Sequence, residues 1–470
     1  MIDLSLFSGQ RIAVLGLGKS GRATATALAT AGAEVLAWDD SATAREAAGR
    51  AGIAVTDLYA ADWSGLDLLV LSPGIPHLHP QPHALAERAR RAGCSIVCDV
   101  ELLVRARLAG PAPGRFVGIT GTNGKSTTTA LIGHILDHAG RENAVGGNIG
   151  IPALSLPGLS GEGVYVLELS SYQLELTPGL HCEIAVLLNL SEDHLDRHGG
   201  FEGYLAAKEH VFDGQAEGDT AILGRDDLTS RALRDRLCGR AGGPAVLSIS
   251  AEQAVPGGVY AEGRRLIDDL DGEAVPVVDM DEARALPGGH NAQNAAAAYA
   301  AARRLGVPRA AIADAIRIFP GLPHRQELVG TLDGVRYIND SKATNGESAA
   351  RAVSSYGAVY WIVGGQAKAG GIDAVAPYFA RIVHAFLIGD AAETFARRMD
   401  GQIAYTICGD LDTAVQAAHA MVALEGPDRA VVLLSPACAS FDQFANFEMR
   451  GEAFRTAVAA LPQACTEASA

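Results

Sequence analysis

The chain is short of aromatic side chains, basic side chains and long apolar runs. Only 6% of its 470 residues are aromatic, whereas 54 are glycine, a balance that favours close-packed α/β layers over an aromatic-rich binding module. Lys and Arg number 38 against 54 Asp and Glu, which argues against general nucleic-acid binding because that function needs a basic surface. Local pockets can still bind anionic ligands.

Cysteine is sparse as well. Of the seven cysteines, Cys94 and Cys98 form one close pair and no second pair completes a zinc pattern, so we expect reduced thiols in a cytoplasmic enzyme. Cys438 follows a strand, but no Cys–His pair can be argued from the sequence, so it is not assigned as a nucleophile. The apolar runs are too short for a membrane span and the first residues lack a basic segment, so we expect neither a span nor a signal peptide.

Buried-strand runs alternate with helical segments along the chain, which predicts the α/β class with parallel, doubly wound sheets. Pro- and Gly-rich segments at 110–114 and 319–323 predict linkers, and we expect domains at 1–108, 109–321 and 322–470. The expected strands are 11–15, 33–38, 66–71, 115–119, 164–168, 183–190, 335–339, 358–363, 385–388 and 430–434. Helices are expected over 22–31, from 125, and from 291 to 304.

The first glycine loop, Gly16 to Gly21, has the pattern G-x-G-x-x-G directly after a strand, and Asp39 follows at the distance of a ribose-binding acid. Such a turn lets backbone amides and a helix N-terminus meet a diphosphate. By itself it predicts an NAD-dependent oxidoreductase. Any nucleotide diphosphate suits the same loop, however, and a tight turn without a ligand is also compatible with it.

A second glycine loop, GITGTNGKST at 118–127, lies between a strand and a helix. Its backbone can wrap phosphates, Lys125 can reach the β and γ oxygens, and Ser126 can bind Mg²⁺, although Ile119 stands where the Walker pattern has glycine. Glu168 ends an apolar strand and can hold Mg²⁺ near this loop. His194 also follows a strand, which favours a metal ligand over an ordinary buried histidine.

Two further positions are ambiguous from residues alone. Asp340 follows a strand and can accept hydrogen bonds from ribose, while Lys342 and Thr344 can hold anionic oxygens; an ordinary capping turn fits equally well. Lys208 lies in a predicted helix and, without further context, is expected to be a surface lysine.

Together these motifs resemble those of the Mur ligases of cell-wall synthesis. The similarity runs from the first glycine loop to Gly451, and its most specific pieces are GITGTNGKSTTT, LELSSYQLE, SEDHLDRH, GGHNAQNA, NDSKATN and SPACASFDQFANFEMRG. It implies three domains in series: a Rossmann-like UDP-binding domain, a central P-loop-type ATPase domain and a C-terminal Rossmann-like domain. It also implies a monomeric, cytoplasmic ligase that uses ATP and two Mg²⁺ ions to join D-glutamate to UDP-N-acetylmuramoyl-L-alanine.

The resemblance implies a role for each matching residue, with Lys125, Lys208, His194 and Arg325 as the catalytic set. Asp40 and Ser41 stand where other members can have a Thr-Arg pair. The ATP-binding residues would be Gly121, Thr122, Asn123, Gly124, Lys125, Ser126, Thr127, Asn291, Asn294, Arg325 and Asp340. The substrate-binding residues would be Lys19, Ser20, Asp40, Ser41, Gly74, Asn148, His194, Lys342, Thr344, Lys368, Ser440, Phe441 and Phe447. The metal ligands would be Ser126, Glu168, His194 and Lys208, the last carbamylated.

Three alternatives remain open at this point. The first is another Mur-type or folate-type amino-acid ligase, which the amino-acid pocket would distinguish. The second is an NAD-dependent oxidoreductase built on the first glycine loop, which leaves the second loop and Glu168 unexplained. The third is a switch or scaffold that hydrolyses ATP without ligation. The D configuration of the glutamate rests on the resemblance alone.

Overall fold

The computed structural model describes residues 2–110, 114–367, 370–425 and 430–462. Strands and helices alternate throughout and separate into two compact units. Unit 1 comprises Met1–Glu282 and His290–Ile318, and unit 2 comprises Ala283–Gly289 and Phe319–Ala470. The expected α/β class with parallel sheets is confirmed, whereas the three domain boundaries remain a prediction.

Unit 1 begins with a four-stranded parallel sheet of order β2-β1-β3-β4. The first helix begins at Lys19, three residues before its expected start, because the extended Gly18 precedes it directly. The strands are β1 (Arg11–Leu15), β2 (Glu34–Trp38), β3 (Leu68–Leu71) and β4 (Ser95–Val97). The helices are α1 (Lys19–Thr30), α2 (Ala42–Arg50), α3 (Ala84–Arg91) and α4 (Asp99–Ala109), after a short 3₁₀ helix at Ser5–Phe7.

A second sheet of unit 1 contains nine strands among the described residues, in the order β13-β12-β11-β10-β9-β8-β5-β7-β6. The strands are β5 (Arg115–Thr120), β6 (Asn143–Gly147), β7 (Val164–Glu168), β8 (Ile184–Leu187), β9 (Thr220–Gly224), β10 (Ala245–Ser250), β11 (Val259–Glu262), β12 (Arg265–Asp268) and β13 (Val275–Asp279). The helices are α5 (Lys125–His138), α6 (Ser171–Glu175), α7 (Leu195–His198), α8 (Phe201–Glu209), α9 (Leu228–Cys238), α10 (His290–Arg304) and α11 (Arg309–Ile318), with 3₁₀ helices at Ala153–Ser155 and His210–Phe212.

Unit 2 contains a sheet of order β14-β15-β19-β16-β17-β18, parallel except for the β14–β15 hairpin. Apolar clusters cover both faces of this sheet. The strands are β14 (Glu327–Leu332), β15 (Val335–Asn339), β16 (Ala358–Gly364), β17 (Ile382–Ile388), β18 (Tyr405–Gly409) and β19 (Ala430–Leu434). The helices are α12 (Gly346–Ser354), α13 (Ala392–Met399), α14 (Leu411–Glu425) and α15 (Phe447–Ala459), with a 3₁₀ helix at Asp373–Arg381.

Four adjacent parallel strands, β8-β5-β7-β6, position the polar residues of unit 1. Their carboxyl ends share one edge of the sheet, which is where ligands bind in open α/β sheets. The second glycine loop follows β5, Glu168 ends β7, and Asn148 follows β6. Within the described ranges, none of the helices has both the length and the apolar character that crossing a membrane requires.

Candidate active site

The second glycine loop turns from β5 into α5 through two glycines with left-handed backbone, Gly121 (φ 140°) and Gly124 (φ 88°). A Cβ at position 124 would lie 2.1 Å from Oδ1 of Asn294, so this turn requires glycine. The loop is braced from the side, because the Asn123 amide donates to Oδ1 of Asn189 at 2.9 Å and Nδ2 of Asn189 donates back to the Asn123 carbonyl at 3.2 Å. Its shape is therefore built into the fold.

Lys125 begins helix α5, and its ammonium lies over the loop. Nζ donates to the carbonyls of Gly121 at 2.9 Å and Thr122 at 3.0 Å. Ser126 and Thr127 follow in the first helical turn and are both buried. A cation, a helix N-terminus and two hydroxyl side chains thus share the place where a phosphate group would be held.

Lys208 on α8 is buried beneath the same loop, so the expectation of a surface lysine from the residues alone was wrong. Helix α8 packs its inner face into the unit, and Nζ of Lys208 donates to the Gly121 carbonyl at 2.9 Å and to Oγ1 of Thr120 at 3.3 Å. Burial, and after it the Lys125 charge, lowers the pKa of Lys208 well below its ordinary value, against the opposing pull of Glu168. This amine therefore loses its proton more readily than an exposed lysine does, and a neutral amine is nucleophilic.

Glu168 has the properties of a cation ligand. Its Oε1 accepts a hydrogen bond from Nδ2 of Asn148 at 2.8 Å, whereas its buried Oε2 has no hydrogen-bond partner among the described residues. An unpaired buried carboxylate oxygen is costly unless a cation or water satisfies it. The described part of the chain contains no group of three or more His, Cys, Asp or Glu side chains that could hold a metal. Mg²⁺ often binds through one or two carboxylates plus substrate phosphates, which fits this donor set.

His194 stands immediately before α7 in left-handed backbone, with φ 52°. Its Nε2 lies 3.5 Å from the Asp193 carboxylate, and its ring centroid lies 5.1 Å from that of Tyr172. Burial lowers the pKa of His194; Asp193 opposes this effect, while the cations Lys125 and Lys208 add to it. The neutral imidazole, which is the metal-binding form, is therefore favoured.

A buried network that sequence reasoning missed joins the segments of Glu168 and His194. Nδ1 of His198 lies 2.8 Å from Glu175 Oε1, and Nε2 lies 2.9 Å from Ser171 Oγ. The order carboxylate–imidazole–hydroxyl is that of an acyl-transfer triad, but His198 and Ser171 are both buried. The network instead fixes α6 to α7, and its residues lay within the motifs LELSSYQLE and SEDHLDRH without a feature that singled them out.

Two contacts attach the first-sheet segment of unit 1 to the second. Arg197 lies over the Tyr172 ring at 4.6 Å and donates to the Gly74 carbonyl at 2.9 Å. Nζ of Lys19 donates to the Gly150 carbonyl at 2.6 Å. Two of the residues predicted to bind the UDP substrate, Lys19 and Gly74, therefore contact the segment that carries the phosphate loop.

The first glycine loop uses Asp39 for its own support. Asp39 accepts from the Leu17 amide at 2.7 Å and from the Ser41 amide at 2.8 Å, so both carboxylate oxygens are engaged. A Cβ on Gly21 would lie 1.7 Å from the Gly16 carbonyl, which is why the helix can approach the turn so closely only with glycine there. Ser41 also caps α2, and Ser20 lies half-buried in the first turn of α1.

Asp40 is surrounded by donors. It accepts from Nε1 of Trp38 at 2.9 Å and from Tyr59 at 3.3 Å, and Nε2 of His83 lies 2.8 Å away. The Arg45 guanidinium stacks 4.4 Å from the Trp38 ring centroid and donates to the Asp40 carbonyl at 2.9 Å. A basic group is therefore present beside the position where this chain lacks the arginine of a Thr-Arg pair.

The two asparagines expected to bind adenine are buried on α10 beside the phosphate loop. Nδ2 of Asn294 donates to Oδ1 of Asn291 at 2.9 Å, and Oδ1 of Asn294 accepts from the Thr128 hydroxyl at 3.4 Å. One residue earlier, Gln293 accepts from Nδ2 of Asn189 at 3.0 Å. This polar face of α10 supports α5 and the loop from one side.

In unit 2, four of the predicted residues gather where β15 ends. Asp340 is buried and accepts from Ser435 Oγ at 2.8 Å. Burial raises its pKa to about 7, and the Ser435 hydrogen bond and the charges of Arg325 and Lys342 act in the opposite direction. Thr344 follows in the same turn, its amide donating to the Lys342 carbonyl at 2.9 Å. The sequence motif thus forms a compact polar turn.

Of the predicted amino-acid pocket, Ser440 is buried, whereas the Phe441 side chain is 70% exposed. Phe447 begins α15, and its ring meets that of His324 edge-on at 6.4 Å. Lys368 lies outside the described residues. The pocket as predicted therefore combines a buried hydroxyl with an aromatic side chain that is open to solvent.

A buried cation ties the two motifs of this pocket together. The Arg450 guanidinium donates to the Ser341 carbonyl at 2.9 Å, the Cys438 carbonyl at 3.0 Å and the Ala439 carbonyl at 3.3 Å. The Ser341 hydroxyl in turn donates to the Phe447 carbonyl at 2.8 Å. Sequence reasoning included Arg450 in a motif without giving it a role.

Comparison with known families gives two matches. Residues 119–302 match the Mur ligase middle domain, and residues 324–438 match the Mur ligase glutamate ligase domain. Together they cover more than half of the chain. The chain belongs to the Mur ligase family. The expected resemblance is therefore confirmed.

Curated Mur ligases match over nearly the full length. The chain is 52% identical over 98% of its length to the UDP-N-acetylmuramoylalanine--D-glutamate ligase of Paramagnetospirillum magneticum, covering 99% of that protein. It is also 52% identical over 97% of its length to the ligase of the same name from Caulobacter vibrioides, with 97% of that protein covered. Both alignments thus extend over nearly the whole of each chain.

Solved structures agree on the fold at much lower identity. The UDP-N-acetylmuramate-alanine ligase of Thermotoga maritima aligns with a TM-score of 0.59 at 17% identity, over 96% of this chain and 99% of that one. A UDP-N-acetylmuramoyl-L-alanyl-D-glutamate--2,6-diaminopimelate ligase aligns with a TM-score of 0.55 at 18% identity, over 98% and 95% of the two chains. These likenesses concern the Mur ligase fold alone.

Proposed function

We propose that this chain joins D-glutamate to UDP-N-acetylmuramoyl-L-alanine with the hydrolysis of ATP, a step in peptidoglycan precursor synthesis. The observation that carries the proposal is the identity of about half of all residues, over nearly the full length, with ligases named for that reaction. A phosphate loop with a lysine at the start of α5 supports the use of ATP. The monomeric state and cytoplasmic location remain predictions.

The chemistry requires an activated carboxyl group, because oxide is too poor a leaving group for an amine to displace. A carboxylate oxygen of the alanyl group attacks the γ-phosphorus of ATP, and ADP leaves with the bridging oxygen. The neutral amine of glutamate then attacks the acyl phosphate carbon, loses a proton, and expels phosphate from the tetrahedral intermediate. One P–O and one C–O bond break, one O–P and one C–N bond form, the proton from nitrogen passes to phosphate or solvent, and the amide is left.

In this proposal the chain's own cations act on the phosphoryl group. Lys125 would bind the β and γ oxygens, and Arg325 would stabilise charge as it develops. Asn291 and Asn294 would contact adenine, and Asp340 the ribose. Mg²⁺, when bound, would neutralise phosphate oxygens.

The metal-binding set proposed here is Ser126, Glu168, His194 and carbamylated Lys208. The unpaired Oε2 of Glu168 and the neutral form of His194 support it. The low pKa of Lys208 supports the carbamate, because only a neutral amine reacts with carbon dioxide and the product is an anion. The number of ions, two, is part of the same proposal.

The substrate sites follow the proposed domains 1–108, 109–321 and 322–470. The UDP moiety would be held by Lys19, Ser20, Asp40, Ser41 and Gly74, with Asn148 and His194 towards the alanyl end. D-Glutamate would contact Lys342, Thr344, Lys368, Ser440, Phe441 and Phe447. The hydrogen bonds of Lys19 and Gly74 to the central segment support a shared substrate path.

The test is release of phosphate from ATP with UDP-N-acetylmuramoyl-L-alanine and either D- or L-glutamate, assayed side by side. We expect phosphate release and a ligated product with D-glutamate only. Product formation with another amino acid in a panel would point to a different ligase, and phosphate release without glutamate would point to an ATPase. Binding of NAD in a fluorescence titration would support the oxidoreductase alternative.

A further inference from the structure

A buried carboxyl group that is weakly hydrogen-bonded lies beneath the first glycine loop. Asp99 is the first residue of α4 and is 3% exposed, and neither of its carboxylate oxygens has a hydrogen-bond partner among the described residues. Burial raises its pKa to about 6, whereas hydrogen bonding from the amides of Val100, Asp99 itself and Ala153 and from the Gln173 side chain acts in the opposite direction. Such a group is expected to have a bound partner.

A small cavity adjoins this carboxyl group. It is lined by Asp99, by Ser20 and Thr24 of α1, and by Ser72 after β3. It leaves about 10 Å³ for the centre of a water-sized molecule. That is close to the minimum space for one water, which also needs two to four polar partners. The three hydroxyl side chains and the carboxyl group supply them.

We propose that this cavity binds one water molecule, held by the Asp99 carboxyl group and the hydroxyls of Ser20 and Ser72, as the floor of the nucleotide-diphosphate site. Ser72 Oγ already donates to the Gly16 carbonyl at 3.0 Å, so its lone pairs remain available to accept from the water. The water links the buried acid to the loop backbone through Ser72 and to the first turn of α1 through Ser20. The role in substrate binding rests on the proposed function; the water site itself does not.

The direct test is a crystal structure of the full chain at a resolution that shows ordered water. We expect one density peak within hydrogen-bonding distance of Asp99 and of a hydroxyl of Ser20 or Ser72. Empty density would overturn the proposal. A crystal soaked in rubidium chloride should give no anomalous signal there, and a signal would overturn the assignment as water in favour of a cation.

Two variants test the role in binding, with UDP as the probe. Asp99→Val keeps nearly the same size but replaces both carboxylate oxygens with methyl groups, so it removes the acceptors for the water and should weaken UDP binding about tenfold, while the KM for ATP stays within about twofold. The matched control Asp99→Asn keeps an acceptor for the water and should bind UDP nearly as the native chain does. Equal UDP affinity for the valine variant and the native chain would overturn the role.

Failure of the water site and failure of the proposed function give different results. If the native chain fails to bind UDP, the proposed substrate class is wrong. The electron density beside Asp99 still shows whether the cavity holds a water molecule. If Asp99→Val does not fold, as judged by its circular dichroism and melting, the asparagine variant and the native crystal keep the proposal falsifiable.

Discussion

The two glycine loops of unit 1 have the same strand–loop–helix geometry but differ in the charged side chains around them. At the loop at Gly16 are the carboxyl groups of Asp39 and Asp99 together with the cations Lys19 and Arg22, and Arg22 donates to the Leu17 carbonyl at 2.7 Å. Beneath and over the loop at Gly121 are the amines of Lys125 and Lys208. The backbone geometry of either loop allows it to bind phosphates. The two loops differ in the charged side chains around them.

The comparison indicates different tasks. Cations at the second loop can stabilise charge that grows during phosphoryl transfer. At the first loop Asp39 organises the backbone and no buried lysine lies beneath it among the described residues, which fits a site that holds a diphosphate without reacting at it.

Lys125→Ala removes the cation that begins α5. We expect ATP-dependent ligation to fall by about 1,000-fold or more, because the developing phosphoryl charge loses its nearest donor. Phosphate release measures the rate, and a melting curve checks that the fold persists. Turnover close to that of the native chain would contradict a cationic phosphate site.

Lys208→Ala removes the buried amine beneath the same loop. We expect kcat to fall by about 100-fold, with partial recovery when a short carboxylic acid such as acetate is added, since the acid replaces the carbamate. Lys208→Arg is the matched control, because it keeps a cation that cannot be carbamylated and should stay inactive. An active alanine variant that acetate does not affect would remove the carbamate from the mechanism.

His198→Gln interrupts the network that fixes α6 to α7. We expect a 10- to 100-fold loss of kcat, as is typical when a partner that orients metal ligands is lost, and a higher Mg²⁺ concentration for half-maximal activity. His181, which pairs with Asp219 at 3.0 Å and is more exposed, provides the control His181→Gln, expected to be unchanged. Equal Mg²⁺ dependence in both variants would reduce His198 to a structural role.

Asp99→Asn tests the acidic floor by stability. Burial raises the folded-state pKa of Asp99 to about 6, above the value of about 3.9 for an unfolded chain, so the folded protein holds this proton more tightly. The contribution of Asp99 to stability is therefore largest below pH 4 and is lost as the pH rises to 6. Urea unfolding measures the free energy of unfolding of the variant and of the native chain. We expect the variant to be more stable, relative to the native chain, at pH 7 than at pH 4.5. The same difference in free energy at both pH values would contradict the raised pKa of Asp99.

Much of the fold was predictable because its signals are local. The strands at β1, β5, β7 and β19 were predicted because fully buried parallel strands read as continuous apolar runs. The meander β11–β13 was not predicted, because its strands are four or five residues long, lie at the edge of the sheet and have mixed burial. Short polar edges leave little periodicity to detect.

Residue order was enough to predict the α/β class, both glycine loops and the family, because these depend on local patterns and on backbone conformations that only glycine adopts easily. Folding in three dimensions was needed to show that Lys208 is buried, that His198 joins Ser171 to Glu175, and that Asp99 is buried under the first loop. These facts depend on which distant segments pack against each other. Burial sets the free energy of a charge, and no local pattern encodes it.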